Sequence, residues 1–130
     1  MRELKFRAWS RGEMLIVASI GFSEQIEEGE PEHKDANKIT QIYCLDGRFG
    51  KIVSIDPKSP VMQLTGLKDK NGVEIYEGDI VQRYNGTGYP AHKPTVVEWR
   101  QGYNYTGFSF GRNKRIEVIG NIYENKELLK

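Results

Sequence analysis

The apolar residues of this chain fall in short runs, broken at close intervals by glycines, prolines and Asp-Gly or Asn-Gly pairs, and this punctuation most restricts what it can fold into. Fourteen glycines and five prolines in 130 residues leave almost no room for helical periodicity. Residues 1–9 set the pattern: Leu4, Phe6 and Ala8 alternate with Glu3, Lys5 and Arg7, the period of two that gives a strand one apolar and one wet face. After the tight-turn pair Arg11-Gly12, residues 14–20 supply a second apolar run, so the chain opens with a hairpin.

The composition changes over residues 22–37, where Glu24, Glu27, Glu28, Glu30 and Glu32 crowd around Gly29 and Pro31 with hardly an apolar anchor. This reads as a mobile acidic loop, and carboxylates held in no fixed geometry bind cations weakly. Apolar runs resume at 39–45 and 49–55 around Asp46-Gly47, a second hairpin. Pro57 and Pro60 then frame a linker, dividing the chain into an N-terminal β region, 1–58, and a second β unit, 59–130. Strands are expected there near 61–65, 80–83, 95–100, 103–110 and 116–123, spaced as in a small barrel. Only the end suggests a helix, with Asn125 capping a short turn through Lys126, Glu127, Leu128 and Leu129. The fold class is therefore mainly β.

The net charge of +1 provides no general field for nucleic acid, so any such role needs a local patch. The single cysteine, Cys44, excludes an intramolecular disulfide and suits a reducing cytosol; its strand context marks a packed thiol and not a nucleophile. No apolar run is long enough to span a membrane, and the charged residues 1–10 do not make a signal peptide. A cytoplasmic protein is expected.

Residues 64–81, LTGLKDKNGVEIYEGDIV, concentrate charge and glycine. Asp69-Lys70-Asn71-Gly72 begins like a calcium loop, but counting from Asp69 the fifth position is Val73 and the twelfth is Ile80, neither an oxygen ligand. A turn fits better: Asn71-Gly72 accepts positive φ, Asp69 can bind the backbone ahead, and Asp79 can tie down the glycine turn at Gly78. A metal-dependent nuclease would need Glu74, Glu77 and Asp79 on one face, which Gly78 spoils. His33 and His92 sit in separate loops without ligand-spaced partners, and the glycines of 102–111 precede no helix, so no metal or phosphate cofactor is indicated.

Residues 83–115 carry the one binding candidate, with Arg83, Tyr84, Trp99, Arg100, Tyr103, Tyr105, Arg112, Lys114 and Arg115 as the residues that would do the work. Rings that stack on bases among cations that follow phosphates are how small barrels hold single strands. The same aromatics, Phe108 and Phe110 with them, also suit a barrel interior or an oligomer contact. The pattern does not choose among the three.

Three phrases, MRELKFRAW at 1–9, VMQLTGLKDKNGVEIYEGDIV at 61–81 and VIGNIYENKELL at 118–129, resemble the YopX family of phage and prophage proteins. The resemblance runs through both ends and the middle and is weakest over 11–60. It implies a small β-rich protein with an SH3-like barrel in its C-terminal part, and it implies no enzyme activity. Ser10 stands where family members often have an acidic residue, and Lys126 where they often have a proline, a residue favoured at the first helical position. The expected role is a non-enzymatic accessory protein whose partner is a host or phage protein or a nucleic acid, with self-association a further expectation from polar sheet edges. A single-strand-binding barrel and a metal-dependent nuclease are the alternatives.

Overall fold

The computed structural model describes residues 4–22, 39–48, 50–101, 106–108 and 115–130, with the side chains of 100, 101 and 106–108 excepted. These form antiparallel strands and one 3-10 turn, so the protein is mainly β. They group into two units, Phe6–Val61, and Met62–Lys130 with the described part of Met1–Lys5.

In the first unit, β1 (Phe6–Ser10), β2 (Glu13–Phe22), β3 (Ile39–Asp46) and β4 (Lys51–Ile55) form a meander in the order β4-β3-β2-β1. Arg11 and Gly12 both take positive φ, 52° and 78°, as a two-residue type I′ hairpin loop requires; Arg11 bears the strain of a side chain in that region. The second hairpin is wider than Asp46-Gly47 suggests. Asp46 accepts the Arg48 N–H on its carboxylate and the Gly50 N–H on its carbonyl, at 2.9 Å each, and Gly50 turns at φ 63°, so β4 begins at Lys51. One face of the meander buries Ala8, Ile42 and Cys44 against Leu15, Val17, Ile39, Val53, Ile55 and Val61. A register shift between Val17 and Ser19 inserts Ala18, which changes the parity of β2, so that Val17 pairs with Cys44 and Ile20 with Ile42. Burial pushes the Cys44 thiol up, away from thiolate chemistry.

The second unit contains β5 (Val61–Lys68), β6 (Glu74–Tyr76), β7 (Asp79–Arg83), β8 (Thr95–Val96), β9 (Trp99–Gln101), β10 (Thr106–Phe108) and β11 (Ile116–Asn121). β5 pairs with β6, β9 with β10, and β11, β7 and β8 form a three-stranded sheet in that order. Ile75, Val81, Val97 and Ile116 make its core, with Val118 packed on them. β6 is a strand the sequence reading missed, because three residues between a turn and a glycine show no periodicity. The single strand expected over 95–100 is two: Val97 leaves the ladder to exchange backbone hydrogen bonds with the 78–79 turn, donating to the Asp79 carbonyl at 2.8 Å and accepting from Gly78 at 2.9 Å. Of the strand expected over 103–110, only β10 lies within the described residues.

The terminal turn is a 3-10 helix, Lys126–Leu129, and Asn125 precedes it without capping it through its side chain. That side chain instead turns back, its Oδ1 accepting the Asn121 N–H at 3.2 Å, while Asn121 Oδ1 accepts from Tyr123 and Glu124 at 3.0 Å. The two asparagines lock the end of β11 to the following turn.

Candidate functional site

The phrase at 64–81 is an anchoring device. Asp69 is 7% exposed, and its carboxylate accepts three backbone N–H groups: Asn71 at 2.8 Å and Val73 at 2.9 Å on Oδ1, and Val118 at 2.9 Å on Oδ2. One oxygen therefore shapes the turn while the other fastens it to β11. Gly72 supplies the left-handed backbone at φ 81°. Burial alone would raise the Asp69 pKa, but the three N–H donors and the Lys70 charge outweigh it and hold the carboxyl below its usual value.

The carboxylates that a nuclease would use are engaged separately. Glu74 bonds Lys5 at 3.0 Å, and buried Asp79 accepts the Tyr76 N–H at 2.8 Å, closing the turn at Gly78 as its spacing suggests. Among the described residues, no three His, Cys, Asp or Glu side chains are grouped to hold a metal ion. Glu77 is half-buried, and that burial raises its pKa against an opposing backbone hydrogen bond from Gln63. A raised acid favours the fold while protonated and loses that advantage as pH rises through its folded pKa. Glu77→Gln is therefore expected to raise Tm slightly at pH 7, with the gain vanishing in acid solution where the carboxyl is protonated in both states, in melts run across that range.

The binding set from 83–115 divides. Tyr103, Tyr105, Arg112 and Lys114 lie outside the described residues, and Arg100 is described as backbone in β9. Tyr84 follows β7 directly. Its phenol donates to Glu117 Oε2 at 2.8 Å, and the Lys70 ammonium sits 4.0 Å from the ring centroid, itself 3.5 Å from the same carboxylate oxygen. Asn71 Nδ2 donates to the other oxygen at 3.3 Å. One face of the ring is thus taken by a cation, and an acid sits among the cations that would follow phosphates. Arg115 is exposed, with its guanidinium so close over Gly86 that a Cβ there would stand 2.9 Å from Nη1. The backbones of Arg83 and Ile116 are paired in the β7–β11 ladder, and Trp99 in β9 is 51% exposed. The structure brings Arg83, Tyr84 and Arg115 together at one end of that ladder.

The Glu117 hydrogen bond, then burial, then the Glu117 charge raise the Tyr84 pKa. Its phenolate is expected to form above the ordinary value of about 10, and Glu117→Ala should shift it down toward that value. The ultraviolet difference titration between wild type and Tyr84→Phe isolates that ring.

Sequence reasoning missed a second surface, in the first unit. The registers pair Ile16 with Leu45 and Leu45 with Ile52, so three aliphatic side chains on β2, β3 and β4 form one cross-strand row on the face opposite the core. They are 38%, 45% and 61% exposed. The signal was present in the sequence: Leu15-Ile16-Val17, Cys44-Leu45 and Ile52-Val53 are adjacent apolar residues, and in a strand neighbours point to opposite faces, so one of each set must leave the core. A row of aliphatics on the solvent face marks a contact surface better than scattered single residues do.

These features define a mainly β protein whose polar motif residues serve its backbone and which carries an aligned row of exposed aliphatics on one sheet face. The chain belongs to the YopX family: the model of that family, described as YopX protein, matches residues 5–130. It is similar to the crystal structure of protein EF1440 from Enterococcus faecalis, with a TM-score of 0.60 and 30% identity, covering 100% of both chains. No curated protein matches it. Among the described residues no helix is long and apolar enough to cross a membrane.

Proposed function

We propose that this chain is a non-enzymatic interaction module of a phage or prophage, acting in the bacterial cytoplasm, with Ile16, Leu45 and Ile52 as its contact surface for a protein. The aligned row carries this reading, because exposed aliphatics at paired positions on three strands offer a partner a continuous apolar strip. Family membership supports the phage origin. The engagement of Asp69 and Asp79 with backbone N–H groups, and of Glu74 with Lys5, supports a role without catalysis.

The test is recovery of partners from host cells by the full chain and by a triple variant, Ile16→Ser, Leu45→Ser and Ile52→Ser, that keeps the wild-type melting profile. Loss of a recovered protein by about tenfold or more with the triple variant is expected, since a few central residues dominate such contacts. Recovery of the same proteins by both would overturn the reading.

Single-strand binding is the second reading, favoured by the half-exposed Trp99 in one unit with exposed Arg115. It requires affinity for labelled single-stranded DNA or RNA that falls by orders of magnitude between about 50 and 200 mM salt and weakens with Trp99→Ala. The covered Tyr84 ring and the acidic Glu117 count against it.

A further inference from the structure

We infer that Asn71 is a site of spontaneous modification, its side-chain amide lost through a succinimide closed on Gly72, and that the reaction dismantles the anchoring turn around Asp69. Asn71 and Asn85 are the asparagines followed by glycine, whose missing Cβ leaves its backbone nitrogen open to attack the neighbouring side-chain carbonyl. Both pairs are exposed to water. In the reaction the Gly72 nitrogen bonds to Asn71 Cγ and gives its proton to water, while the Cγ–Nδ2 bond breaks and ammonia leaves. Water then opens the ring at either carbonyl, giving aspartate or isoaspartate with no change of oxidation state.

The fold treats the two pairs differently. Ring closure requires the side-chain carbonyl to swing toward the next nitrogen, and at Asn85 three hydrogen bonds oppose that movement. Its Oδ1 accepts the Thr87 N–H at 2.9 Å, the Thr87 hydroxyl at 2.7 Å and the Tyr89 N–H at 3.0 Å. The Asn71 side chain is held by a longer bond, Nδ2 to Glu117 Oε1 at 3.3 Å, because the turn there takes its shape from Asp69. One bond resists, from the Gly72 N–H to the Asp69 carbonyl at 3.0 Å; Gly72 is exposed, so water replaces that partner when the turn opens. The products act on the anchor. Isoaspartate carries the main chain through its Cβ, which lengthens the segment between the Asn71 and Val73 N–H groups that a single Asp69 oxygen accepts. Either product also adds a carboxylate beside Glu117, the acid that bonds Lys70 and the Tyr84 phenol.

The experiment is incubation of the full chain in heavy-oxygen water at mildly alkaline pH, followed by digestion and mass mapping of the peptides that hold residues 71 and 85. Heavy oxygen and isoaspartate are expected at 71 about tenfold or more faster than at 85, since each hydrogen bond to be broken slows closure several-fold. In denaturant, where those bonds are gone, the two rates should agree within about threefold. The isoaspartate fraction, separated by chromatography, should melt below the fresh protein and below Asn71→Asp, which adds the carboxylate without lengthening the turn. Labelling at 85 as fast as at 71 in the folded chain, or an isoaspartate fraction that melts as the fresh protein does, would overturn the inference.

Discussion

Replacing Asp69 with alanine is expected to lower folding stability by about 3 kcal/mol or more. The carboxylate satisfies three backbone N–H groups from both sides, two in its own turn and one from β11, and hydrogen bonds to an ionised group are each worth about 1.5–3 kcal/mol without being additive. Asp69→Asn should recover only part of this, because an amide has one acceptor oxygen where the carboxylate uses two. Urea unfolding at pH 7 measures both; a loss under about 1 kcal/mol for alanine would show that the turn holds without its anchor.

The same anchor gives an acid dependence whose sign follows from its pKa. A carboxyl held below its usual value by its donors stabilises the fold fully above its unfolded value of about 4 and loses that contribution as pH falls through the folded value. The stability difference between wild type and Asp69→Asn should therefore be constant above about pH 5 and shrink in more acid solution.

The second large effect belongs to Gly78. Its φ of 81° strains any other residue, and an added Cβ would stand 3.2 Å from Met62 Sδ and 3.6 Å from an Ile122 side-chain carbon. Its N–H donates to the Val97 carbonyl and its own carbonyl accepts from Ile122, both at 2.9 Å, so the backbone there has little freedom to relax. Gly78→Ala is expected to cost about 2–3 kcal/mol, combining the left-handed penalty with the contact. Gly72 is the control. It has the same φ of 81° with nothing within 4 Å of a Cβ, so Gly72→Ala should cost only the backbone penalty of about 1 kcal/mol. Equal losses at both positions, from unfolding curves run side by side, would remove the role assigned to Met62.

The fold was legible where physics acts locally. Alternation at residues 4–8, the Arg11-Gly12 pair and the apolar runs of β2, β3 and β4 announce the first meander, and Asp69 and Asp79 announce themselves as turn anchors by standing before Asn-Gly and after Gly. What stayed hidden depends on partners distant in the chain. β6 is held by β5 across an irregular register, Val97 is drawn from its strand by the 78–79 turn, and Asn125 finds Asn121 before it can cap the final turn.

The candidate site was legible in smaller part. Composition marks residues 83–115 as basic and aromatic, yet it cannot foretell that Lys70 covers Tyr84 or that Glu117, 33 residues away, holds its phenol. The aliphatic row was missed for a related reason: Ile16, Leu45 and Ile52 become neighbours only through the registers of three strands, one of them shifted by a bulge. The phrases that identify the family turn out to be largely architectural, since Asp69, Asp79, Asn121 and Asn125 all bind backbone. Family likeness therefore locates the frame more directly than the working surface.

On the proposed function, this chain acts through the face bearing Ile16, Leu45 and Ile52. Site-specific photo-cross-linking in host cells tests it most directly, with a benzophenone side chain at position 45 in one version of the chain and at position 99 in another. Adducts to protein from position 45, and none to nucleic acid from position 99, are the predicted result. Cross-links from position 99 alone, with position 45 silent, would contradict the account and move the working surface to β9.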